Sequence, residues 1–349
     1  MPSQLKLKCI AALAAAAALL ALPAAAQATL AFTRNPLHPV VFVANDNGSS
    51  AHKLGSGRNP RVSPDGEQVA YLHEGPGHAQ EMVLAPAGGG TSRTLLTGWQ
   101  APYYLAFSPD SKTIAALRGP ELGKLKLVLI DVATGAQTVV ASGYFSGFSF
   151  SPDGTELVYS KAGSEKYPPR SDVYRFVIPV GESVRFVPPV RITNDHISED
   201  PLWGPTGKIV FVKLIDAKKR KYGPKNELYL MNPDGSGVKR LTHTKVDPLV
   251  QGLIPTQWSA DGNRLLTEFG GQDTSYAVTV NPKTGAERTL TGEREFGFVG
   301  TALSADGSAV LGDTGGFEPG PDHNVVTIPY TGGKPKVLAK NASEPSWSR

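Results

Sequence analysis

His196 is followed within four residues by Glu199 and Asp200. An imidazole beside carboxylates can move a proton near neutral pH or, with further ligands, hold a divalent cation. Glu344, close to the end of the chain, is an acid that could join them across a fold. Histidines followed by acids are also common in polar loops, so this grouping competes with a plain solvated surface. A second set of acids is repeated. Asp65, Asp110, Asp153, Asp261 and Asp306 each follow a proline or alanine and, in four of the five cases, precede a glycine. Proline presets φ, aspartate hydrogen-bonds the backbone two residues on, and glycine accepts positive φ, so the combination specifies a tight turn. We expect these five acids to be structural turns and assign no catalytic residue. A related copy carries Thr206 in the acid's place between intact strand patterns.

Aromatic residues recur before the repeated segment: Trp99, Tyr103 and Tyr104, then Tyr144 and Phe145, then Phe296. Around a concave mouth such side chains stack on sugar rings or a peptide, whereas packing between structural units would make them core. The stretch "KLIDAKKRKYGPKN" contributes Lys219, Arg220 and Tyr222 to a basic loop, with Lys161, Lys166 and Arg170 in the matching loop of the preceding unit. Side by side, the two loops would form an arc suited to an anionic glycan, a phosphate-bearing polymer or an acidic protein; the alternative is a solvated lysine-rich loop. No metal site is assigned. Calcium at individual turns such as "NDNG" from Asn45 or "NPDG" from Asn232 stays open, although neither has the spacing of an EF-hand loop. No other cofactor is implied.

The elements that must position these residues are repeats. Taking Pro64 as the marker, equivalent positions are Pro109, Pro152, Pro205, Ala260 and Ala305, at steps of 45, 43, 53, 55 and 45 residues. A period in the forties suits a propeller blade of four short strands and four turns. In one unit "GFSFS", "TELVYS", "SDVYRFVIP" and "VRIT" read as strands A to D. Long helical stripes are missing beyond the N-terminal apolar run, so the expected fold class is all-β, a single β-propeller of four-stranded blades. A strands centred on Val62, Phe107, Phe150, Trp203, Trp258, Leu303 and Trp347 favour seven blades, the last lacking a full B strand; six is the alternative. The earliest strand is read from "HPVVFV", which resembles the later part of a unit, while "EPSWSR" at the other end matches a strand A. The ring is therefore expected to close by N- and C-terminal strands sharing one blade, which removes open edges.

"PRVSPDG" from Pro60, "PLWGPTG" from Pro201, "QWSADG" from Gln257 and "PSWS" from Pro345 resemble the TolB-like propeller repeat, whose signature is P-x-W-S-P-D-G followed by a strand. The resemblance spans nearly the whole chain after residue 28 and implies a fold more than a function, because propellers host binding, scaffolding and catalysis alike. Two departures matter. The family's namesake has an α/β domain ahead of its propeller, for which residues 29–349 leave no room. Prolyl oligopeptidase relatives carry a hydrolase domain, and this sequence has no G-x-S-x-G.

Lys6 and Lys8 precede an apolar run from Ile10 to Leu22, too short to span a bilayer, and then "AAAQA". This reads as a signal peptide, residues 1–28, cleaved after Ala28, with cleavage after Ala26 as the second choice. Its loss would remove Cys9, the single cysteine, and lower the formal charge from +4 to about +2, which is no signature of nucleic-acid binding. Thiol catalysis and disulfides are excluded from the remainder. The expected protein is a periplasmic or secreted monomer without a membrane span, a binding or scaffold module presenting one loop face to a protein, peptide or anionic envelope glycan. A propeller hydrolase or lyase acting on a polysaccharide or lactone is the alternative, and no catalytic motif favours it.

Overall fold

The computed structural model describes residues 29–348 apart from 76–79, 98–104, 120–124, 165–169, 180–185, 222, 247–250, 271–274, 291–297 and 316–322. The expected signal peptide lies outside the described residues. Among them every regular element is a strand, and no helix is long and apolar enough to cross a membrane.

The strands fall into antiparallel sets of four. β1 (Thr29–Arg34), β2 (Val40–Asn45) and β3 (His52–Ser56) open the chain. β4 (Arg58–Val62), β5 (Gln68–Glu74), β6 (Gln80–Pro86) and β7 (Arg93–Thr97) form the next sheet. β8 (Leu105–Phe107), β9 (Thr113–Arg118) and β10 (Leu125–Asp131) lead to the long β11 (Gln137–Phe150). β11 changes partner between Gly143, opposite Leu125, and Tyr144, opposite Ala162, so it ends one set and begins another. That next set adds β12 (Glu156–Ala162), β13 (Ser171–Val177) and β14 (Val190–Arg191). β15 (Ser198–Trp203), β16 (Ile209–Ile215), β17 (Lys225–Met231) and β18 (Lys239–Arg240) follow. A parallel bridge from Asn226 to Gly252 joins them to β19 (Gly252–Trp258), β20 (Leu265–Gly270), β21 (Ser275–Val280) and β22 (Glu287–Leu290). β23 (Val299–Leu303), β24 (Ala309–Asp313), β25 (Asn324–Pro329) and β26 (Lys336–Lys340) form a separate sheet. Finally β27 (Ala342–Trp347) pairs with β1, giving the order β27-β1-β2-β3.

β1 corrects the expected start of the first strand. The alternating "HPVVFV" forms β2, but "TLAFTR" precedes it and fills the second place in the set of the chain ends, so that set does have a full B strand. Leu30, Ala31 and Phe32 are consecutive and all fully buried. A strand covered on both faces shows no period of two, so alternation does not reveal it.

Why the second strands carry buried apolar residues on both faces follows from the packing. Successive side chains point to opposite faces, and in each second strand the two faces feed different cores. Leu157 and Tyr159 of β12 pack with Ala115 and Leu117 of β9, while Val158 between them packs with Trp203 and Phe211. Val210 and Val212 of β16 join Trp258 and Leu265; Ile209 and Phe211 join Val158 and Val173. The chain ends obey the same rule: Ala31 packs with Val69 and Tyr71, and Leu30 and Phe32 with Leu311 and Val325. Burying such a side chain stabilises the fold by about 1.5–3 kcal/mol, so the cores between sheets hold them in order. The signature tryptophans serve these cores, with Trp203, Trp258 and Trp347 each in or against a different one.

A candidate binding site at the loop ends of the first strands

Each set begins with a first strand that carries two contrasting ends. After it comes the repeated turn. Ser63 Oγ donates to Asp65 Oδ1 (2.5 Å), the Glu67 N–H donates to the same oxygen (3.0 Å), and the Gln68 N–H donates to Ser63 Oγ (2.9 Å). The same three bonds recur around Asp110, Asp153, Asp261 and Asp306. Hydrogen bonds from the partner serines and following amides hold Asp153, Asp261 and Asp306 below the usual carboxylate range, Asp306 at about 2. These acids are occupied in closing turns. The other turns are similarly self-contained: Asn45 bonds Ser49, and Asp234 accepts both the N–H and the Oγ of Ser236.

At the opposite end the first strands bulge. The pairing register shifts between Arg58 and Arg61, Phe145 and Phe148, Glu199 and Leu202, Pro255 and Gln257, and Gly300 and Ala302. A bulge re-aims the side chains beside it. Counting back from the last residue of each first strand, Val62, Trp203 or Trp347, Asn59, Asp200 and Glu344 are equivalent; each precedes a proline and each has positive φ, at 52°, 45° and 54°. For residues other than glycine that conformation costs about 1–3 kcal/mol and clusters at functional places.

Neighbouring first strands hold one another in place near these bulges. The Trp203 N–H donates to Ser149 Oγ (2.8 Å), Leu303 N–H to Gln257 Oε1 (2.8 Å) and Val62 N–H to Ser346 Oγ (3.0 Å). Glu344 Oε2 also accepts the Asn59 N–H at 2.8 Å. The buried Ser160 hydroxyl accepts the N–H groups of Gly147 (3.2 Å) and Asp200 (3.3 Å) and shares a bond with Ser146 Oγ (2.6 Å). Gly147 is required there, since a Cβ would lie 2.9 Å from Asp200 Oδ1.

The charged groups at this end differ from the turn acids. Glu199 is buried, and burial lifts its carboxyl to about 7. Asp200 is half-buried, and burial, followed by the charge of Glu199, raises it well above the aspartate range. Arg61, two residues past Asn59 and two before Ser63, is half-buried; burial lowers its pKa and Glu344 offsets part of that. Among the described residues its guanidinium makes one hydrogen bond, from Nη1 to the Pro60 carbonyl (3.0 Å).

Of the residues singled out in the sequence, Glu199 and Asp200 come together as neighbours on β15. His196 turns elsewhere: its Nδ1 lies 2.7 Å from Asp172 Oδ2, and its N–H donates to Asp172 Oδ1 (3.1 Å). Asp172 also accepts from Thr193 Oγ1 (3.1 Å). Glu344 is engaged by Asn59, so these four do not form one cluster, and no group of three or more potential ligands suits a metal among the described residues. Tyr144 and Phe145 lie on β11, where Phe145 packs 5.9 Å from the Tyr159 ring. Lys219 pairs with Asp216 at 3.3 Å, Arg220 is half-buried, and Lys213 in the same region pairs with Asp195 at 2.6 Å. Trp99, Tyr103, Tyr104, Tyr222 and Phe296 lie outside the described residues. Sequence reasoning missed Arg61, Asp172 and Ser160. Counting back from the end of every first strand would have aligned "NPR", "DPL" and "EPS" and exposed Arg61 as a charge in that row.

The fold is similar to that of TolB from Acinetobacter baumannii, at 17% identity and a TM-score of 0.53 over 92% of this chain and 83% of that one. It is also similar to an oligogalacturonate lyase in complex with manganese (17%, 0.56, 89% and 84%). The β-propeller domain of the Trilobed protease from Pyrococcus furiosus, described as having an open velcro topology, is a further match (14%, 0.59, 90% and 93%). At these identities the likeness shows a propeller fold and nothing finer. No family model and no curated protein matches the chain.

Proposed function

We propose that the seven sets of four strands are the blades of one propeller, closed where β27 joins β1, and that the protein is an exported binding module. It presents the loop ends of its first strands to a protein, peptide or envelope glycan. The closed count is supported by the cores, which couple each set to the next and the β23–β26 set to that of the chain ends. Export is supported by the charged and apolar N-terminal stretch.

The observation that carries the binding reading is the division of charge. The turn acids have their bonding capacity taken up locally. Towards the loop ends, the Glu199 carboxyl has no hydrogen bond or ion pair to another described residue, and among the described residues the Arg61 guanidinium bonds only the Pro60 carbonyl. Cross-linking or hydrogen-exchange mapping of a co-purified partner tests it. Protection around Arg61, Phe145, Glu199 and Glu344 is expected; protection confined to the turns at Asp65 and Asp153 would overturn it. N-terminal sequencing of the exported protein tests cleavage after Ala28.

Acid–base catalysis on a polysaccharide or lactone is the second reading, favoured by one contact. Asp172 holds Nδ1 of His196 and leaves Nε2 for a substrate. Activity screens with purified protein decide it, and turnover undiminished in His196→Ala removes this histidine from any mechanism.

A further inference from the structure

We propose that Arg61 is the anchor for a ligand carboxylate, a site that deepens the proposed binding role and rests on the loop ends being the binding face. Arg61 is placed firmly. The residue after it is held by Ser346 Oγ and the second residue before it by Glu344 Oε2, so β27 fixes the backbone on both sides of it. Its bulge and the strained Asn59 set the direction in which the strand delivers the side chain.

A guanidinium carries five N–H donors in a planar fork. Here one donor reaches a main-chain carbonyl, and no carboxylate lies within ion-pairing distance among the described residues. Glu344 is the charge that acts on Arg61, yet one of its oxygens is already committed to Asn59. Arg61 is only half-buried, so the donors not used by Pro60 stay open to a ligand, and a planar carboxylate matches the fork with two parallel bonds. The negative Glu344 nearby disfavours a dianion more than a monoanion, which selects a carboxylate over a phosphate. The carboxylate can belong to a peptide C-terminus or a small organic acid.

Titration calorimetry of the full exported chain with N-acetyl-triglycine, its C-terminal amide, propionate and inorganic phosphate tests the assignment. The free acid is expected to bind saturably, and the amide about tenfold or more weakly. Arg61→Gln should lose the same factor, while Arg61→Lys retains part of the affinity because the charge remains. Propionate matching the peptide identifies small acids as the source; a preference for the peptide identifies its C-terminus. Equal binding of acid and amide, phosphate as tight as the acid, or no saturable binding of either carboxylate overturns the site. The acid–amide comparison uses unaltered protein, so it remains decisive if Arg61→Gln fails to fold. Partner protection on the turn face together with Arg61-dependent acid binding would refute the face and keep the site.

Discussion

Asp153 and Asp200 are borne by adjacent sets, one just past the turn end of its first strand and the other at the loop end of the next, and their surroundings are opposite. Asp153 accepts from Ser151 Oγ (2.6 Å) and the Thr155 N–H (3.1 Å), which favours its charge. Asp200 faces Gly147 beside Glu199, where burial and a like charge both oppose ionisation. The repeated acid is a solved structural problem, copied wherever a turn is needed. The unrepeated acid sits in strained, bulged backbone and holds free energy that only a particular fold position, or a ligand, accounts for.

Neutralising the loop-end pair should have the largest effect. Glu199 binds its proton more tightly folded than unfolded, so between about pH 4.5 and 7 the folded state holds more protons and stability falls as pH rises. The double variant Glu199→Gln, Asp200→Asn should therefore be more stable than the parent by roughly 3 kcal/mol above pH 7 and equal to it near pH 4. Denaturant titrations across this range measure it; parallel curves for the two proteins would erase the contrast.

Gly147→Ala drives a Cβ against Asp200 and should cost about 1–3 kcal/mol of stability, the penalty of an overpacked contact. An unchanged unfolding midpoint would mean that Asp200 is free to move. Ser151→Ala removes the hydroxyl shared by Asp153 and the Glu156 N–H, with an expected loss of about 1 kcal/mol at neutral pH. The turn acids titrate with the opposite sign. The folded pKa values of Asp110, Asp153, Asp261 and Asp306 are lowered, so the stability they contribute is present above about pH 4 and fades on acidification towards 2, as for Asp306. Thr206→Asp would restore the missing acid of one turn, but Gly204 stands where the serine donor belongs, so a gain below about 0.5 kcal/mol is expected from melting curves. A gain as large as the loss in Ser151→Ala would show that the acid acts without its serine.

Much of the fold was legible because turn chemistry is local. The S-P-D-G copies located a first strand before each turn and a second strand after it, and the strands lie there, from Val62 on β4 to Trp347 on β27. β1 was hidden because both of its faces are covered. The site was far less legible. Glu199 and Asp200 stood out as acids, but their departure from ordinary carboxylates comes from burial and, for Asp200, the charge of Glu199, in a fold that brings the distant Gly147 and Ser160 against Asp200. His196 drew attention by its proximity to them along the chain, and the fold gave it to Asp172, 24 residues away.

The chain alone determined the all-β class, the spacing of the repeats and the structural character of the five turn acids, since each depends on contacts within a few residues. Tertiary structure decided which charges remained unspent. Whether Arg61 is paired, whether Glu199 is desolvated and which strand completes the set of the chain ends depend on surfaces brought together across hundreds of residues, as when Ser346 meets Val62.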